Sequence, residues 1–111
     1  MILIELETLL SPILPTATAF YKMSQPNTFA VFTSLSDMPG VYADNEPQDL
    51  VQEVRIGIYD KSEYYITAQK IRQALRNANF TITQSGYIAY ESDTKYHHYN
   101  IDVQKFYKKE L

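Results

Sequence analysis

The chain has no cysteine, no tryptophan and only three glycines among 111 residues. Without cysteine there is no disulfide framework, no thiolate zinc site and no thiol nucleophile. With glycines so few and never grouped, the usual phosphate-cradling loops have no support. Positive charge is also short: ten Lys and Arg against thirteen Asp and Glu leave a net charge of −3. That balance disfavours a protein whose main task is to neutralise phosphates, so nucleic acid is not an expected partner. No run approaches the roughly 18 consecutive apolar residues of a membrane helix. The opening MILIELETLL is apolar but carries Glu5 and Glu7 and meets Pro12 and Pro15 soon after, which predicts neither a signal peptide nor a span. No membrane partner is expected.

What is present is ordinary for one globular domain, with 45% hydrophobic and 21% charged residues. The one compositional oddity is ten tyrosines beside five phenylalanines. Tyrosine joins a large apolar ring to a polar tip, which suits strand faces and protein interfaces.

The hydrophobic period supplies the architecture. Leu3, Leu6, Leu10 and Ile13 recur at helical spacing, predicting a short helix over 2–11 that Pro12 and Pro15 end. Residues 16–23 read as a weak strand and 28–36 as a better one, with Phe29, Val31 and Leu35 on one side and Ala30, Phe32 and Ser34 on the other. Residues 37–48, DMPGVYADNEPQ, collect proline, glycine and acidic residues and read as a long loop. From 51 to 59 the alternation is clean: Val54, Ile56 and Ile58 share one face. Asp60 and Glu63 have capping-box spacing and predict a helix start, after which Tyr64, Ala68, Ile71, Leu75 and Ala78 form an apolar stripe. Asn77 and Asn79 suit its end. A strand from Phe80, expected to kink or bulge at Gly86, then turns at ESDT (91–94) and returns with Tyr99, Ile101, Val103 and Tyr107 on one face. The expected fold is α+β: one small domain over 1–111 with a mixed, mostly antiparallel sheet and two helices packed on it.

Motifs for chemistry are scarce. His97 and His98 are adjacent, so on a strand they point to opposite faces and do not chelate one metal together. Asp37, Asp44, Glu46 and Asp49 lack the alternating pattern and closing glutamate of a calcium loop. Ser85-Gly86 lacks the leading glycine of a nucleophile elbow. Lys105, Lys108 and Lys109 beside Phe106 and Tyr107 make a weak basic patch on an acidic chain. No catalytic residue, cofactor or metal site is expected, and the chain reads as a binding protein and not an enzyme.

Several segments, taken in order, resemble a family: FAVFTSLSD at 29–37, VYADN at 41–45, VQEVRIGIYDKS at 51–62, the helix EYYITAQKIRQALRNANF and the hairpin YIAYESDTKYHHYNIDVQKFY. Over residues 28–107 this is similar to the tail terminator, or tail completion, proteins of long-tailed phages and of prophages of Gram-positive bacteria. The resemblance implies a structural protein of the virion, at the head-tail junction. Weakly associated or monomeric alone, it would form a hexameric ring on the finished tail tube, stop tube growth and accept the head completion protein. Its partners would be the major tail tube protein, the head completion or connector protein and copies of itself. Within that frame Tyr42, Asp44 and Asn45 in the 37–48 loop, and Arg72, Gln73 and Arg76 on the helix, are the candidate interface residues. A head completion, connector or minor tail protein is the nearest alternative role, and a nucleic-acid-binding module a more distant one.

Overall fold

The computed structural model describes residues 2–18, 26–39, 42–43, 46–47 and 49–108. In chain order the elements are α1 (Ile2–Leu10), β1 (Thr16–Thr18), β2 (Thr28–Pro39), β3 (Tyr42–Ala43), β4 (Glu46–Pro47), β5 (Asp49–Asp60), α2 (Tyr64–Asn77), β6 (Thr81–Glu91) and β7 (Tyr96–Lys108). Five strands form one sheet in the order β1-β2-β5-β7-β6, and β3 and β4 pair as a separate small ribbon. Only the β1–β2 pairing is parallel; the others are antiparallel. The fold is therefore α+β, with a mixed, mostly antiparallel sheet and two helices.

The core lies between one face of this sheet and the helices. Val54, Ile56 and Ile58 on β5 stand opposite Val103, Ile101 and Tyr99 on β7, and Phe32 and Ala30 of β2 face Ile56 and Ile58. Onto this layer α2 lays Ala68, Ile71 and Leu75, and α1 lays Ile2, Leu6 and Leu10, all buried. A side chain of this kind gains roughly 1.5–3 kcal/mol by leaving water, so the period-2 face and the helical stripes dictate how the layers meet. The amino end of α1 is pinned by the Ile2 amide, which donates to Gln52 Oε1 at 3.1 Å.

Local bonds define both ends of α2. The α2 carboxyl end is a Schellman motif: Asn79 sits at φ 66°, Phe80 N donates to Leu75 O and Asn79 N to Arg76 O. The asparagine anticipated there does this work. The amino end departs from the capping box. Asp60 Oδ1 accepts from Ser62 N at 2.9 Å and Oδ2 from Thr67 Oγ1 at 2.7 Å. The helix begins only at Tyr64, and Glu63 stands at the cap position without a side-chain cap bond. Asp60 thus ties β5 to the helix from outside it.

Four further expectations are corrected. Residues 37–48 are not one long loop: β2 runs to Pro39, β5 starts at Asp49, and Tyr42–Ala43 pairs with Glu46–Pro47. The two prolines fall at strand ends, where a missing amide hydrogen is tolerated. On β2 the core side chains are Ala30 and Phe32, while Phe29 is buried on the opposite face. In α1 the buried series is Ile2, Leu6, Leu10 and then Leu14, with Ile13 exposed. On β6 the register shifts fall between Ile82 and Gln84 and between Tyr87 and Ala89, flanking Gly86.

Candidate interaction surface

Two aromatic clusters occupy the two faces of the sheet. The first gathers where the β6–β7 hairpin meets the start of α2. Because Tyr87 is opposite Tyr99 and Tyr90 opposite His97, the hairpin brings these rings onto the helix-bearing face, under Tyr64. The Tyr64 ring lies 4.9 Å from both Tyr87 and His97 and 6.2 Å from Tyr99, centroid to centroid. Tyr65 stands across it at 5.8 Å and 87°, and Tyr90 is 4.9 Å from His97. Tyr87 Oη and His97 Nδ1 share a hydrogen bond of 2.9 Å. Partial desolvation of the hydroxyl raises the Tyr87 pKa, with Tyr64 and Tyr90 acting the same way. Tyr65, Tyr87, Ile88 and Tyr90 are all well exposed, and they make a ring-rich platform bordered by the charged Lys61, Glu63 and Glu91.

Beside the platform Arg72 reaches back to the sheet. Its guanidinium donates to Tyr99 Oη at 2.8 Å and to Ser85 Oγ at 3.4 Å, and Ser85 Oγ and Tyr99 Oη are 2.9 Å apart. Arg72 therefore braces the helix against the hairpin. Gln73 bonds within the helix, donating to Asn77 Oδ1 at 3.0 Å. Arg76 is exposed in the last turn of α2, where a cation complements the helix dipole. Tyr42 falls in β3, opposite Pro47; Asp44 and Asn45 lie outside the described residues. The described nominees thus divide between the helix, where Arg72 is engaged with the sheet, and Tyr42 on β3.

The second cluster lies on the face away from the helices. Phe29 and Tyr59 stack at 4.9 Å, Tyr59 and His98 at 4.3 Å, and Tyr96 meets Phe29 edge-on at 5.3 Å. Tyr96 Oη donates to Pro26 O. Burial lowers the His98 pKa below its ordinary value, so the ring is neutral at pH 7. Further along this face Arg55 clamps the buried Asp102 with two bonds, Nε to Oδ1 at 2.9 Å and Nη2 to Oδ2 at 3.0 Å. The two histidines accordingly face opposite ways, as strand parity requires.

At the far end of β6, between α1 and the close of α2, a shallow groove of about 470 Å³ is walled by Ile4, Leu9, Ala78 and Phe80. Lys105 Nζ at its rim donates to Glu5 Oε2 at 3.0 Å and to Ala78 O at 3.2 Å, and lies 4.4 Å over the Phe80 ring. Among the described residues no three His, Asp or Glu side chains come together as a metal-binding group. No helix among them is long and apolar enough to cross a membrane.

Sequence reasoning noticed the abundance of tyrosine without locating the platform. The signal was present: folding the hairpin about the ESDT turn sets Tyr90 against His97 and Tyr87 near Tyr99. No family model and no curated protein matches this chain.

Proposed function

We propose that this chain is a non-enzymatic assembly protein that acts through protein–protein contact, and that its role is to cap a phage tail tube. In this reading it sits at the head-tail junction as a ring, ends tube polymerisation and offers its other side to the head completion protein. The observation that carries the contact-based reading is the β6 end of the molecule. There an edge strand whose one charge is its last residue, Glu91, adjoins exposed Tyr65, Tyr87, Ile88 and Tyr90. Tyrosine is enriched and charge depleted at the centres of protein interfaces, because the ring buries a large apolar area at low entropic cost while the hydroxyl finds a polar partner. The assignment to tail tubes rests on the resemblance of residues 28–107.

The test is to add the purified protein to tails assembled without it and to view them by negative-stain electron microscopy. Capped tubes of uniform length are expected. Overlong tubes with nothing bound at their ends would refute the terminator role, and binding to isolated heads instead would favour a connector on the head side.

A further inference from the structure

We propose that the free edge of β6 is a self-association surface, and that in solution two copies meet there about a twofold axis, strand antiparallel to strand. This concerns the free chain and holds whether or not it caps a tube.

The two borders of the main sheet are unlike. At one, the three-residue β1 covers only Ala30–Phe32 of β2, and further along that strand Asp37 and Pro39 are residue types that blunt an edge. At the other, β6 has eleven residues and pairs only with β7 among the described strands. Between Thr81 and Tyr90 it carries no Asp, Glu, Lys, Arg or Pro, the residues that usually blunt an edge. Its two bulges, at Thr83 and Ile88, leave Gln84 to Tyr87 in regular register with β7. An added Cβ at Gly86, in the middle of that stretch, would meet nothing within 4 Å. The sheet face at Gly86 is therefore unobstructed by the described residues.

Charge and area select the occupant. Copies with a net charge of −3 repel one another, so they meet most readily where charge is absent, and β6 supplies such a border. Antiparallel pairing centred on Gly86 also sends the strand's one charge, Glu91, to opposite ends in the two copies, so the carboxylates never oppose each other. Tyr87, Ile88 and Tyr90 are 43%, 54% and 50% exposed and leave on the order of 300 Å² accessible per copy. With the backbone of the regular stretch Gln84–Tyr87, about 14 Å long, beside them, two copies bury on the order of 900 Å², close to the lower bound for a specific interface. A twofold contact needs only this one patch, used twice.

The test uses the full chain. Sedimentation and light scattering across a range of concentrations should give a monomer–dimer equilibrium, and Ile88→Lys should weaken it at least about tenfold with an unchanged circular dichroism spectrum. Because the chain has no cysteine, Gly86→Cys should cross-link under oxidation into one covalent dimer, a result that decides the matter even if Ile88→Lys fails to fold. A chain that stays monomeric at every concentration would overturn the proposal. So would a dimer that ignores Ile88→Lys and gives no Gly86→Cys cross-link, or a closed assembly of more than two copies.

Discussion

Arg55 and Asp102 stand on neighbouring strands and share two hydrogen bonds, yet the side chains are unequally wet: 44% of the Arg55 side chain is exposed against 7% for Asp102. Replacing Arg55 with Met leaves a carboxylate that water barely reaches and that has lost both charged donors. Replacing Asp102 with Asn leaves a guanidinium that turns to solvent. A fully buried pair broken on one side costs 3–5 kcal/mol; with the arginine head half in water the expected cost of Arg55→Met is about 2 kcal/mol, and of Asp102→Asn about 1 kcal/mol. The double variant should cost less than the two summed, by about 1 kcal/mol, since the second change removes an already broken bond. Urea unfolding of all four proteins with a common m-value measures the cycle. If Asp102→Asn costs as much as Arg55→Met, or if the changes simply add, the asymmetry argument is wrong.

Lys95 holds φ 67° in the hairpin turn, a conformation costing a non-glycine residue about 1 kcal/mol, so Lys95→Gly should raise the melting temperature; a lower one would mean that the lysine side chain contributes more than the backbone costs. Asp60→Ala removes the acceptor for Ser62 N and Thr67 Oγ1 and should cost about 1–2 kcal/mol in chemical denaturation, an effect that Glu63→Ala, with no cap bond to lose, should not share. Burial depresses the His98 pKa, so the unfolded chain takes up the proton first: stability is full above the unfolded value of about 6.5 and declines as pH falls through it. Melting temperatures between pH 8 and 5 should show this fall, and His98→Phe should flatten it. For Glu5, burial raises the pKa but the Lys105 and Tyr107 hydrogen bonds lower it further, for a net depression. Its stabilisation is present above the unfolded carboxylate value and is lost as pH falls through the folded one, so the deficit of Glu5→Gln should shrink in acid.

The elements that could be read from the chain are those whose burial is one-sided. Val54, Ile56 and Ile58 alternate because only one face of β5 meets the helices, and Ala68, Ile71 and Leu75 recur at helical spacing because only one side of α2 does. The reading failed where burial has two sides. Phe29 and Phe32 are both covered, one by Tyr59 and Tyr96 on the open face and one by the helices, so no periodicity tells which phenylalanine faces the core. It failed again where one local bond replaced another: the Asp60 carboxylate that looked like a cap is held by Ser62 and by Thr67, one turn into the helix. In residues 37–48, prolines and acids read as one long loop and do not reveal how far β2 and β5 carry their pairing, up to Pro39 opposite Leu50.

The site was less legible than the fold because it is made by pairing and not by motif. Tyr64, Tyr87, Tyr90 and His97 belong to three elements and become neighbours only when the β6–β7 register is set and α2 is laid across it. Arg72 shows the same dependence. Read on a helical wheel it belongs to the polar side, but its long side chain reaches Tyr99 and Ser85 on the sheet below, where a stem that lies along apolar surface and a head that finds hydroxyls satisfy both halves of the residue. Such a brace changes what the platform is for. Arg72, Ser85 and Tyr99 fix the helix to the hairpin from beneath, so the exposed rings of Tyr65, Tyr87 and Tyr90 stand on a support already ordered. Were a partner to dock there, as proposed, it would meet a backbone and base layer already held in place, which favours rigid contact over a site that must fold around its ligand.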